Sequence, residues 1–496
     1  MILSKQKFLK LYNKIHSIAD KNLLAKEYEK VISLYEIQSS LSYFTNIFYT
    51  DKKIEDNLLL LSKELVKRKV NFDENRNQKI IFFDSFGWDN KGLTQQYIRA
   101  LIDKNIEFLF VFENFNDKIS QNIQKELNDY PSCKSYKIQS DLSKIEKINA
   151  LTEVIEEYKP TDAFLHLNPS AVTSIIVWNS FIDIKRYQIN LTDHAFWLGV
   201  NAFDYCIEFR DYGYNISKNQ RNIAEEKVIK LPYYPIIDEF QKFEGFPKVD
   251  SNKIIIVSGA SYYKVFGGND KYFKLLKKIK EQNKNIVVFF AGSGNTVILN
   301  KLIKKYNLKG FFIPIGERKD ISQVVRNADI YLATYPLSGG LMSLFAIKSE
   351  VPIIGFTEKE LLLNSLESLV ELNTNNQLTY FDEDSFLKEM NIMIQNKEYR
   401  INKAKNITDS VISIVDFNSR VLNILSQKPN QNFKKIDINL TKVEEVYLEV
   451  QNNYQPNVVN ILFYNLNQLQ EIKYEIIFLK LHSYFLNSLK KIKEYF

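Results

Sequence analysis

The chain has 496 residues, 45% of them apolar, and its 66 basic and 59 acidic side chains give a formal charge of +7. That length exceeds one ordinary domain, so two or three hydrophobic cores are expected. The positive excess is too mild to call for a nucleic acid partner, although it permits contact with anionic lipid or a nucleotide.

Residues 1–77 have helical spacing: Leu9, Tyr12, Ile15 and Ile18, then Leu58, Leu61 and Leu65. A polar break follows from Asp73 to Gln78. Short apolar runs then alternate with helical stretches. Strands are expected at Lys79–Asp84, Glu107–Phe112, Asp162–Leu167, Lys185–Asn190, Tyr205–Phe209 and Lys227–Leu231, with helices after Gly92 and Ser170. Such alternation implies a parallel sheet covered on both faces.

A Pro- and Gly-containing linker is expected between Pro232 and Asn252. A second alternating series begins at Lys253–Ser258 and continues through Asn285–Ala291, Gly310–Ile315, Asp329–Ala333 and Pro352–Phe356. Helices are expected from Ser385 to Gln427, followed by a partly helical tail rich in Tyr, Leu, Ile and Lys. The expected division is a helical extension at 1–77, a first Rossmann-like domain at 78–235, a second Rossmann-like domain at 250–427 and a C-terminal extension at 428–496. Ligands of open α/β sheets bind outside the carboxyl ends of the strands, so a cleft between the two domains is the expected site.

Cys133 and Cys206 build no disulfide framework, and the histidines His16, His166, His194 and His482 are too scattered for a histidine-based metal site. No run approaches the ~20 apolar residues that span a bilayer, and no signal peptide is visible. A cytoplasmic protein is expected. Its terminal extensions, with their Lys and aromatic residues, offer contact with a partner protein or peripheral contact with the inner face of a membrane.

The segment from Ala328 to Ala346 is the most informative: a short apolar run, a loop holding Gly339 and Gly340, then a helix start. Backbone N–H groups there lack intrahelical partners and favour negative charge, and glycine admits a phosphate to the backbone. Gly339, Gly340, Leu341 and Met342, with the hydroxyls of Ser338 and Ser343, are the expected diphosphate donors. Lys264 is the expected point charge and Arg318 the alternative cation. Gly292 closes a strand where backbone can approach a nucleotide, and Gly316 opens the loop that carries Arg318. His194 is the candidate base, because its ordinary pKa suits proton transfer near neutrality. His166 is a weaker candidate. Asp193 adjoins His194, but neighbours on an extended chain point opposite ways, so no pairing is assumed. Glu208 and Arg210 end a strand and are candidates for orienting neighbours. Asn90 and Gly92 open the first helix of the alternating series.

Taken in order, Gly87–Gly92, Thr192–Trp197, Ser258–Lys264, Ala291–Gly294 and Tyr335–Ala346 resemble the GT-B fold of nucleotide-sugar glycosyltransferases over about Lys79–Gln427. The style is similar to family 4, and Asp193–Trp197 resembles the O-GlcNAc transferase and HMW1C-like group. The resemblance implies an α/β fold of two tandem doubly wound Rossmann-like domains, an acceptor domain at 78–235 and a nucleotide-sugar domain at 250–427. It also implies transfer of a sugar from a nucleotide diphosphate donor, a UDP-sugar by preference, to a hydroxyl acceptor. No metal or further cofactor is implied. It places a basic phosphate ligand at Lys264, the nucleotide base near Gly316–Arg318, and a phosphate or acceptor loop at Asn90–Gly92. Family 4 has two glutamates flanking the glycine loop. Leu337 and Phe345 occupy those places here and cannot hydrogen-bond a sugar, which argues against a family 4 retaining mechanism. The alternative expectation is a non-catalytic GT-B-like subunit that binds a partner glycosyltransferase or an acceptor protein.

Overall fold

A computed structural model describes residues 3–73, 76–86, 89, 92–113, 120–237, 240–371, 376–426 and 432–492. The chain forms two compact units. The first comprises residues 1–231, 418–434 and 456–496, and the second residues 232–417 and 435–455.

The first unit holds β1 (Ile80–Asp84), β2 (Phe108–Phe112), β3 (Cys133–Lys137), β4 (Asp162–His166), β5 (Lys185–Asn190), β6 (Tyr205–Glu208) and β7 (Val228–Lys230). All pair in parallel, in the order β3-β2-β1-β4-β5-β6-β7. Every residue of β1, β2 and β4 is buried, as a sheet covered on both faces requires. β3 was not anticipated. Its sequence Cys-Lys-Ser-Tyr-Lys is polar because it lies at the sheet edge, largely exposed.

The second unit repeats the plan with β8 (Ile254–Gly259), β9 (Ile286–Ala291), β10 (Phe312–Gly316), β11 (Ile330–Leu332), β12 (Ile353–Phe356) and β13 (Thr379–Tyr380). The order is β10-β9-β8-β11-β12-β13, again parallel. Pro314 is tolerated in β10 because that strand is an edge. In both sheets the order of strand addition reverses beside the first strand, at β1–β4 and at β8–β11, and those are the switch points where α/β sheets receive ligands.

The N-terminal helices Lys5–Leu24, Tyr28–Thr45 and Lys52–Leu65 bury Ile15, Tyr35, Leu58 and Leu61 in the first unit. The C-terminal tail is shared between the units. Phe433 stacks on Tyr214 at 4.2 Å, and the Tyr187 hydroxyl donates to Ile424 O, within the first unit. Helix Leu440–Asn453 belongs to the second. There Tyr454 stacks on Phe266 at 5.4 Å and its hydroxyl donates to buried Asp270, while Glu449 accepts from Asn269 N. Helix Lys473–Ile492 carries an exposed apolar row, Tyr474, Phe478, Leu481 and Phe485. No helix among the described residues is long and apolar enough to cross a membrane.

Tyr454→Phe removes one of three side-chain donors to Asp270, the others being Lys305 and Tyr306. Urea unfolding of the full chain is expected to show a loss of about 1–3 kcal/mol. Tyr474→Phe, at an exposed tyrosine, is the control and is expected to change nothing measurable.

Candidate functional site

The carboxyl ends of β8, β9 and β11 bring together the segments singled out in the second half of the sequence. The backbone there is unusually close. A Cβ on Gly339 would lie 2.7 Å from Gly259 O, and one on Gly292 would lie 1.9 Å from Ala260 O. Both glycines are therefore required by the protein's own packing, before any ligand is considered. A Cβ on Gly340 would lie 2.8 Å from the Tyr233 hydroxyl, whereas Gly316, at φ +73°, faces open space.

The helix Gly340–Lys348 starts at this point. Thr334 Oγ1 accepts from Gly339 N at 3.0 Å, so this amide is capped by the protein. The amides of Gly340, Leu341 and Met342 have no acceptor among the described residues, and all three residues are half-buried. Ser338 Oγ is buried without a hydrogen-bond partner among the described residues. Lys264 Nζ donates to Ser338 O at 2.8 Å, and Leu337 N donates back to Lys264 O. The cation thus stands beside the glycine loop.

Two other expected donor ligands are committed elsewhere. Ser343 is fully buried, and its hydroxyl turns back to Gly339 O within its own helix. Arg318 makes paired 2.6 Å bonds to both oxygens of Asp320 and donates to Gly245 O. It pins the 241–245 segment to the second unit, and its charge is met by Asp320. Leu337 and Phe345 are packed in the core, each 5% exposed.

In the first unit His194 lies in a turn after β5, where Ala195 N reaches Thr192 O. The extended-chain argument against its pairing with Asp193 fails for that reason. In the turn, Nδ1 of His194 comes to 3.4 Å from Asp193 Oδ1. With the proton on Nδ1, Nε2 is the basic nitrogen. The His194 side chain is 22% exposed. Asp193 is buried, which alone would raise its pKa, but Arg210 and His194 overcome this and hold the carboxyl well below its usual range. Arg210 contacts both carboxylate oxygens, at 2.5 and 3.0 Å.

Residues not singled out from the sequence hold this turn. Asn46 Nδ2 donates to His194 O at 2.9 Å, and Arg221 donates to Ala195 O at 2.6 Å while lying 4.4 Å over the Trp197 ring. Glu55 Oε1 accepts from Gly199 N at 2.7 Å. Helix capping at Asp51, three residues before Ile54, adds a local signal of order to the helical spacing of this N-terminal region. Its partners lie more than a hundred residues away and leave no sequence pattern.

His166 ends β4 at the first sheet's switch point. It is 1% exposed, with Nδ1 3.2 Å from both Asp84 Oδ1 and Thr94 Oγ1. Gly92 precedes helix Leu93–Asp103 at φ +91°, a left-handed position that favours glycine. Asn90 and most of the Gly87–Gly92 segment lie outside the described residues.

Glu208 is fully buried between Asn190 and Ser217, with Oε2 lacking a hydrogen-bond partner among the described residues. Burial pushes its carboxyl up to about 7 despite nearby Arg221. Glu55 and Glu113 are raised to about 7 in the same way.

No family profile and no curated protein sequence matches this chain. Its fold is nevertheless that of GT-B nucleotide-sugar glycosyltransferases. Anabaena HepE in complex with UDP and glucose superposes with a TM-score of 0.53 at 14% identity, over 71% of this chain and all of that one (100%). A mutant of the Thermobaculum terrenum O-GlcNAc transferase gives 0.52 at 12% identity, over 92% of this chain and 82% of the other. TarM gives 0.52 at 11% identity, over 72% of this chain and 100% of that chain.

The raised pKa of Glu208 has a definite sign. A carboxyl whose folded pKa exceeds its unfolded value of about 4.3 binds a proton more tightly when folded. Its contribution to stability is present in acid and is lost as pH rises through about 7. Glu208→Gln removes that dependence. Relative to the wild type, the variant is expected to gain stability between about pH 4 and pH 8, by up to about 3 kcal/mol. Urea titrations at the two pH values measure it, and a stability difference that does not change with pH contradicts the assignment.

Proposed function

We propose that the chain is a glycosyltransferase that moves a sugar from a nucleotide diphosphate, UDP by preference, to a hydroxyl acceptor. The observation that carries this reading is the group of donors at the second sheet's switch point. The amides of Gly340, Leu341 and Met342 and the Ser338 hydroxyl, which has no partner among the described residues, lie along one short stretch of backbone, and the Lys264 ammonium meets it at Ser338 O. Hydrogen bonds to charged groups contribute about 1.5–3 kcal/mol each. Donors fixed before the reaction stabilise charge without reorganising as it develops.

In the transfer, the acceptor oxygen bonds to the anomeric carbon as that carbon's bond to the β-phosphate oxygen breaks. The departing diphosphate takes the electron pair, and the donors around Ser338 and Lys264 bear its added charge. The acceptor proton goes to a base, and Nε2 of His194 is the first unit's candidate for that role. Asp193 orients the imidazole, and Arg210 holds Asp193 in place. With Leu337 and Phe345 in the core, no side chain at those positions can serve a family 4 retaining route. The same burial favours the second reading, a non-catalytic subunit that binds a partner glycosyltransferase or an acceptor protein.

A thermal-shift screen against nucleotide sugars, followed by assay of UDP release, separates the two. A bound donor at about 100 times its dissociation constant stabilises the protein by about 2.7 kcal/mol. Lys264→Met is expected to weaken UDP binding by about 10- to 100-fold. His194→Gln is expected to bind UDP normally and to lower the release rate by about 100-fold or more. Absence of a shift with every nucleotide sugar establishes the non-catalytic reading instead.

A further inference from the structure

The first unit contains a recess of about 560 Å³ that the donor reading does not use. It lies where helix Tyr28–Thr45, the start of helix Lys144–Tyr158, the turn at Ser170 and the end of helix Asn457–Tyr464 meet. The N- and C-terminal portions of the chain therefore build it together. Its size falls within the range of small-ligand sites, about 300–1,000 Å³.

Its chemistry does not favour an anionic ligand. The single cation on the wall, Lys144, donates to both carboxylate oxygens of Glu36 at 2.7 Å, which leaves the pair neutral. The amides that open helix Lys144–Tyr158 are also taken: Glu29 accepts from Lys144 N and Ile145 N, and Ser143 Oγ accepts from Glu146 N. At this helix start no amide among the described residues remains to receive a phosphate or carboxylate.

What remains is neutral and rich in hydrogen-bonding groups. The side chains of Ser40, Asn467 and Gln468 line the recess and make no hydrogen bond to any described residue. Asn465 donates through Nδ2 to Ile461 O, which leaves its side-chain oxygen as an acceptor. Each carboxamide offers donors and an acceptor together, matching a hydroxyl that must both give and take. At the rim stands Tyr464, 78% exposed, a flat apolar ring with a polar tip. Ile37 and Ile461 supply the apolar patch. Free carboxamides, a free hydroxyl, an exposed aromatic face and no net charge are the combination that suits a pyranose, with hydroxyls at its edge and C–H groups on its faces.

We propose that this recess binds an uncharged oligosaccharide. The assignment concerns binding alone and goes beyond the transferase reading, since none of its residues takes part in that reading.

The full chain is applied to an array of neutral and acidic glycans, and the best neutral tetrasaccharide is then titrated calorimetrically. Tyr464→Ala and the double variant Asn467→Ala/Gln468→Ala replace side chains outside the core, and thermal melting checks their folding. Each is expected to weaken glycan binding about tenfold while leaving the thermal response to UDP unchanged. The proposal is overturned if no neutral glycan binds, if only acidic glycans bind, or if both variants bind as tightly as the wild type. Loss of the UDP response alone would count against the donor site and not against this one.

Discussion

The second unit depends on the contact between main chains at the carboxyl end of its sheet. Gly339 and Gly259 O approach so closely that a single methyl group would separate the glycine loop from the end of β8. The Gly292–Ala260 contact closes the other side. This packing fixes the start of helix Gly340–Lys348 beside Lys264, and so determines which amides are left without partners. Glycine at these places is first a packing requirement, and the anion-receptive geometry is its consequence.

The first unit achieves comparable order by different means. Its turn at His194 is held by buried charge: Asp193 between Arg210 and His194, and Arg221 against carbonyl oxygens and the Trp197 ring. Removing one partner of such a group strands the other, which is why buried networks rigidify a loop when complete. The N-terminal helices are part of this order, since Asn46 and Glu55 bond directly to the 194–200 backbone. They act as part of the candidate site's frame as well as covering the sheet.

Much of this was legible in the amino-acid order because burial on both faces leaves a signature. Ile80–Phe83, Phe108–Phe112 and Ile286–Ala291 are apolar runs with no alternation, and they form central strands. The polar edge strand Cys133–Lys137 and the short β13 carry no such signature and went unseen. Around the candidate site, the glycine loop and Lys264 were visible because turn and helix-start chemistry is local. Ser343 and Arg318 have the right residue types in the right segments, but their polar atoms are engaged by Gly339 O and Asp320. No local pattern distinguishes an engaged side chain from an available one.

By itself, then, the order of residues determined two successive α/β series and the loops at their strand ends, because hydrophobic period and turn propensity act over a few neighbours. Only tertiary structure decided that Asp193 meets both His194 and Arg210, that Asn46 and Glu55 hold a backbone more than a hundred residues away, and that the C-terminal tail is shared between the units. The Asn46 and Glu55 contacts span large sequence separations, and the Asp193 contacts depend on the turn that the fold imposes on adjacent residues. They form because buried charges and carbonyl groups must be satisfied wherever the fold places them.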